Sequence, residues 1–200
     1  QLSRHPTASE IRNLDPETYS SVLETVLRLN HASAAKRLAL LEYRKDSLDT
    51  GYYLLEDTDL RTVYGELIGH IAFSHWLPID QLNETFGQLI GAFAGAPAHW
   101  TVDPLKIACI LRVADACHID ARRAPGFLRA LRKPKGIADL HWRFQQYVQT
   151  PYVSHRRVVY TVSQPIPAKD ADAWWIGYEL IQTVDRELRD VDSLLRDTKR

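Results

Sequence analysis

The chain has 200 residues, 45% of them apolar and 25% charged, and its 25 basic and 25 acidic side chains give a formal net charge of zero. That length accommodates a sizeable core, and the charge balance argues against a globally basic nucleic-acid binder. No apolar run approaches the roughly 20 residues that span a bilayer, and the opening Gln-Leu-Ser-Arg-His-Pro has no signal-peptide pattern, so neither nucleic acid nor membrane is expected as a partner.

The two cysteines, Cys109 and Cys117, fall two helical turns apart, roughly 12 Å along the axis and too far for a disulfide. They read as reduced core thiols of a cytoplasmic protein. The sequence contains no methionine, which suits a piece of a longer chain or a sequence from which methionine positions are omitted. The expected organisation is one helical domain over 1–200, with a helical core at 15–123 and a hairpin and terminal helix at 124–200.

Residues 1–14 are polar and weakly patterned, a lead-in. Asp15-Pro16-Glu17 starts a helix. Tyr19, Val22, Leu23, Val26 and Leu27, then Ala34, Ala35, Leu38 and Leu41, recur at helical spacing, as one bent helix or two. His31 shares the stripe of Leu27, Ala34 and Leu38, so it faces inward or lines a cleft. Residues 44–57 read as a loop. Asp57, Thr58 or Asp59 can cap a helix whose apolar face runs Leu60, Val63, Tyr64, Leu67, Ile68, Ile71 and on to His75, with His70 to one side. Pro78 breaks that pattern. Asp80 fits the cap of another helix, with Leu82, Phe86, Leu89, Ile90 and Phe93 on one face, and Gly95-Ala96-Pro97 ends it.

The next stretch, D-P-L-K-I-A-C-I-L-R-V-A-D-A-C-H-I-D-A-R-R, is Asp103–Arg123. Asp103 can cap, and Pro104 suits the first helical position. The run from Leu105 to Cys117 is apolar nearly all round, the mark of a core helix, yet it contains Asp115. An unpaired carboxylate buried there would cost several kcal/mol. Beyond Arg123 come a turn at Ala124-Pro125-Gly126, a short helix at Phe127–Leu131, and a basic cluster of Arg129, Arg132, Lys133 and Lys135, a pattern that usually marks a solvated surface. His141–Val148 and Arg156–Ser163 read as a β-hairpin around Thr150–His155. Asp170 or Asp172 then caps a last amphipathic helix from Trp175 to Leu195.

His31, His75 and Asp115 thus interrupt apolar faces on three helices. Imidazoles and a carboxylate suit a divalent metal held in a helical bundle. The competing reading makes each His a satisfied core residue and pairs Asp115 with Arg112, His118 or Arg122. Nothing marks a nucleophile elbow around Ser33 or Ser74, and no basic groove surrounds Trp142 or Trp174-Trp175.

I-L-R-V-A-D-A-C-H-I-D-A-R-R resembles the final motif of HD-domain metal-dependent phosphohydrolases, L-L-R-x-A-D-x-x-D-x-x-R. R-L-N-H-A-S-A-A-K-R-L and I-G-H-I-A-F-S-H-W-L-P-I-D-Q-L resemble that family's helices bearing two ligand histidines. The hairpin and terminal helix are similar to the tail of HD domains associated with GHKL-type ATPases. The resemblance, over roughly 15–198, implies a mainly α HD-type bundle with a β-hairpin before its C-terminal helix. It implies metal ligands His31, His75 (His70 as the alternative) and Asp115, and a divalent ion among Mn, Fe, Zn, Mg and Ni. It implies phosphoester hydrolysis on a nucleotide-like substrate, with Asp115 and Arg122 catalytic and Arg122 or Arg123 on substrate phosphate, although a solvated helix terminus favoured by the macrodipole is the slightly stronger reading of the arginines. A GHKL-type ATPase module in the same longer chain is the implied partner, and a degenerate HD domain docking that ATPase is the non-catalytic alternative. No His is followed by Asp in these residues, so the family's namesake dyad is expected upstream of Gln1, or lost.

Overall fold

Asp15 opens the first helix described, its carboxylate accepting from the Thr18 N–H at 3.0 Å. The structure, a computed structural model, describes residues 15–45 and 50–200. The lead-in expected at 1–14, and 46–49 of the expected loop, lie outside the described residues. The architecture is mainly α, with 7 helices and two antiparallel strand pairs among the described residues, one pair being the hairpin before the C-terminal helix. The chain divides into two compact units, Gln1–Leu77 with Ile90–Val102, and Pro78–Leu89 with Asp103–Arg200.

In the first unit, helix α1 (Pro16–Leu38) is one continuous helix. Helix α2 (Thr58–Phe73) is capped by Asp57, which accepts from the Leu60 N–H, and it runs into a 3-10 turn at Ser74–Trp76. The two helices meet through small groups. Ala32 is buried on α1 and Gly65 and Gly69 on α2, and a Cβ on Gly69 would collide with the Lys36 carbonyl. This corrects the expected packing: Tyr19, Val22, Leu23, Val26 and Leu27 stay exposed, because so close an approach selects the small-residue face of α1 rather than its bulky one. Strand β1 (Ile90–Gly91) pairs with β2 (Thr101–Val102), and the Tyr64 hydroxyl donates to Gly91 O at 2.8 Å. The helix expected to continue to Phe93 therefore does not: it ends at Phe86, and after Gly87 the chain leaves the helix and enters strand β1 at Ile90.

In the second unit, α3 (Ile79–Phe86) buries Leu82 and Phe86, and it starts from Pro78 rather than an Asp80 cap. Helix α4 (Pro104–Cys117) has the expected Asp103 cap, accepting from the Lys106 N–H at 3.1 Å. Its buried face is Leu105, Ala108 and Cys109, whereas Ile107 and Ile110 are exposed, so α4 is buried along one stripe and not all round. Both cysteines are free thiols, and burial pushes the Cys109 thiol up, keeping it protonated. Helices α5 (Gly126–Arg132), α6 (Gly136–Tyr147) and α7 (Ala171–Asp197) complete the unit.

The expected first strand, His141–Val148, is instead the end of α6 as far as Tyr147, with Val148 extended just beyond it. Its aromatic and β-branched content suits a strand, but Leu140, Phe144 and Val148 fall at helical spacing and pack together in the core with Ile119, Ala173 and Val184. Gly177 lets α7 approach this core, since a Cβ there would collide with the Phe144 ring. The hairpin is shorter than expected, β3 (Tyr152–Ser154) with β4 (Arg157–Val159), in register Ser154↔Arg157. A bridge between Val148 and Val162 prolongs it. Asp170 precedes α7 but makes no side-chain cap, because Arg143 Nη1 and the Tyr147 hydroxyl both donate to it at 2.7 Å.

Candidate functional site

His31 lies in the C-terminal half of α1, and His75 in the 3-10 turn that ends α2. Ser74 fixes that turn: its buried hydroxyl donates to Ile71 O at 2.7 Å, and its carbonyl accepts from the Leu77 N–H at 3.0 Å. The Gly69 approach then brings the two imidazoles together, with ring centroids 5.1 Å apart and Nε2 facing Nε2 at 3.0 Å.

The opposite ring nitrogens are engaged by backbone. His31 Nδ1 meets Arg28 O at 2.5 Å, and His75 Nδ1 meets Ala72 O at 2.8 Å. A carbonyl only accepts, so each Nδ1 carries a proton, and each neutral ring then presents a lone pair at Nε2. Two lone pairs at this distance repel. A shared proton or a cation between the rings relieves the repulsion. Trp76, which the apolar periodicity does not single out although it adjoins His75, adds a donor: its indole N–H reaches His31 Nε2 at 3.4 Å, edge-on to the ring. His70 sits exposed in the last turn of α2 and is not part of this pair.

The remaining predicted site residues belong to the second unit. Asp115 is not a buried charge: its side chain is 57% exposed and lies 3.9 Å from Arg123 Nη1. Arg112 is committed elsewhere, to Glu187 on α7. Helix α4 ends at Cys117, so Arg122 and Arg123 sit in the turn beyond it. Arg123 also donates to His118 O at 3.1 Å.

Arg122 is held by Asp120, a residue absent from the candidates drawn from the sequence. Asp120 is 1% exposed, accepts from Arg122 Nη2 at 2.6 Å and from Arg122 Nε at 3.1 Å, and takes the Arg122 backbone N–H at 2.8 Å. These hydrogen bonds hold its carboxyl below the usual range against the opposing effect of burial. The D-x-R spacing is the signal that points to it, since an Asp carboxylate commonly takes the N–H two residues on.

A protein-family model described as HD-CE matches residues 2–190. This chain belongs to the HD-CE family. It is therefore an HD-type domain, and HD-type domains are generally metal-dependent. Neither the comparison with curated proteins nor that with solved structures returned a match.

The Nε2–Nε2 spacing of the histidine pair in this HD-CE chain is compatible with two nitrogens on one ion. Two nitrogens each about 2.0–2.1 Å from one ion stand roughly 2.9 Å apart at a right angle and about 3.3 Å apart at the tetrahedral angle, which brackets the observed 3.0 Å. The Nδ1–H to carbonyl bonds are the outer contacts that orient ligand histidines. Among the described residues no group of three or more His, Cys, Asp or Glu converges on one point. The same unit has a cavity of about 500 Å³ walled by Leu60, Tyr64, Phe93, His99 and Trp100. Among the described residues no helix is long and apolar enough to cross a membrane.

Proposed function

We propose that this HD-CE domain is a metal-dependent phosphohydrolase acting on a nucleotide-like phosphoester, with His31 and His75 as two ligands of a divalent ion. The observation that carries this reading is the 3.0 Å Nε2–Nε2 approach with both Nδ1 atoms on backbone carbonyls. It presents two lone pairs towards one point, an arrangement that a shared proton or a metal makes favourable. Asp115 enters the proposal through its motif, L-R-V-A-D, and not through its position. A bound divalent ion would polarise a phosphoryl oxygen and lower the pKa of a coordinated water. The chain's own contribution is to aim the two imidazoles before metal arrives. The aromatic cavity of the same unit suits the flat ring of a nucleotide.

The test is calorimetric titration of the chain with Mn, Zn and Ni salts, alongside phosphatase and phosphodiesterase assays. His31→Ala and His75→Ala are expected to weaken metal binding by at least about tenfold while leaving helicity unchanged, since neither side chain is buried. Asp115→Ala tests the motif assignment. Absence of binding to the unaltered chain sinks the proposal.

A second reading, a non-catalytic HD module docking an ATPase, is favoured by the state of the arginines. Arg122 is tied to Asp120 and Arg123 approaches Asp115, so the side chains assigned to substrate phosphate are engaged within the protein. Metal binding with no hydrolysis, together with retention of a GHKL-type ATPase in a pull-down, selects this reading.

A further inference from the structure

The β3–β4 hairpin turns through His155 and Arg156, whose φ angles are +47° and +63°. A two-residue loop with both φ values positive is the type I′ turn, which normally uses Asn-Gly because side chains are strained there. This chain places two long side chains in it. The second of them, Arg156, lines a cleft of about 730 Å³ between the hairpin and α7, together with Arg157.

The cleft floor is apolar, formed by Val158, Ile181, Val184 and Leu188, and Val184 belongs to the core of the unit. Asp185, Asp192 and Arg189 also line it. Both aspartates are matched one helical turn on, Asp185 by Arg189 and Asp192 by Arg196. Arg156 and Arg157 have no ion pair or side-chain hydrogen bond among the described residues. They are therefore the uncompensated charge at the mouth of an apolar cleft.

We infer that this cleft binds a small phosphorylated molecule with an apolar or ring-shaped body, the phosphate on Arg156 and Arg157 and the body on the Val158–Ile181–Leu188 floor. Arginine suits that head group because its planar fork donates two parallel bonds to phosphate oxygens. The strained turn is explained by the same assignment, since it places Arg156 beside Arg157 at the rim. The inference uses no residue of the histidine pair and stands or falls independently of it.

The test titrates the whole chain at low salt with adenosine triphosphate, hexyl phosphate and inorganic pyrophosphate. At least one organic phosphate should bind about tenfold more tightly than pyrophosphate, and the one that does distinguishes a ring body from a chain. Two variants separate binding from folding. H155N/R156G installs the preferred turn, so it should raise Tm by roughly 2–4 °C while weakening binding about tenfold. R156Q/R157Q should weaken binding at least as much with circular dichroism unchanged. Equal binding of pyrophosphate, no binding of any probe, undiminished binding by either variant, or a lower Tm for H155N/R156G overturns the inference.

Discussion

Asp120 and Arg122 form a closed local pair: a carboxylate that is 1% exposed accepts both the guanidinium and the backbone N–H of the residue two positions on. The Arg122 side chain is 67% exposed, so solvent screens the charge attraction. Because the folded carboxyl is depressed, its stabilisation is complete above the unfolded pKa of about 3.9. It is lost as pH falls through the lower folded value. Asp120→Asn should therefore lower the urea midpoint at pH 7, and the gap to the unaltered protein should narrow as pH falls below the unfolded pKa and through the lower folded one. A gap that stays constant with pH assigns the bond to shape rather than charge.

Gly177 is a second point where one atom decides the packing. Ala at this position should destabilise the protein by about 1–3 kcal/mol, since the Phe144 ring must move to admit a methyl group. Phe144→Leu in the same chain should recover part of that loss, with a coupling of about 0.5–3 kcal/mol in a double-mutant cycle of urea unfolding. Additive losses would mean the two side chains do not meet.

Most helices are legible from caps and periodicity. Asp15, Asp57 and Asp103 each announce a helix, and each accepts the N–H three residues on. Element type fails at α6, where Trp142, Phe144, Tyr147 and Val148 carry strand-like composition. There the Leu140–Phe144–Val148 spacing, and the Asp139–Arg143 pair one turn apart, report the true period. Composition is the weaker signal because β propensity mostly measures a half-buried surface, which α6 also has. Which apolar residues are buried is less legible still. The bulky stripe on α1 is exposed because the contact is set by Gly69 and Ala32, and small residues leave little mark on a hydrophobicity pattern; α4 buries only the stripe of Leu105, Ala108 and Cys109.

Of the site, the convergence of His31 with His75 is legible, since both lie on helical faces that a bundle turns towards each other. The environment of Asp115 is not. An apolar run suggests burial, but α4 is buried along one stripe only, and Asp115 falls on the other. The commitment of Arg122 is hidden for a different reason. Its partner is two residues away in a turn, where helical phase no longer applies.

Trp76 offers a direct probe of the histidine pair. Its indole N–H points at the His31 lone pair that a metal would take, so it competes for that position. Trp76→Phe keeps an aromatic edge and removes the donor. Metal affinity should rise by about two- to tenfold, the value of one modest hydrogen bond, as read by isothermal titration. A fall in affinity would show instead that the indole orients the His31 ring for binding.

Arg112 and Glu187 join α4 to α7 through side chains that are only 15% and 20% exposed. An ion pair so placed loses much hydration on folding, and its attraction does little more than offset that cost. Glu187→Ala should then destabilise by about 2–3 kcal/mol, because it removes the carboxylate that compensates a half-buried guanidinium. Replacing both partners, as Arg112→Met with Glu187→Leu, should return stability to within about 1 kcal/mol of the unaltered chain. Chemical denaturation of Arg112→Met, Glu187→Leu, Glu187→Ala and the double variant measures these losses. If the double variant loses as much as either single variant alone, the pair stabilises the α4–α7 contact outright, whereas losses that add would mean the two side chains do not interact.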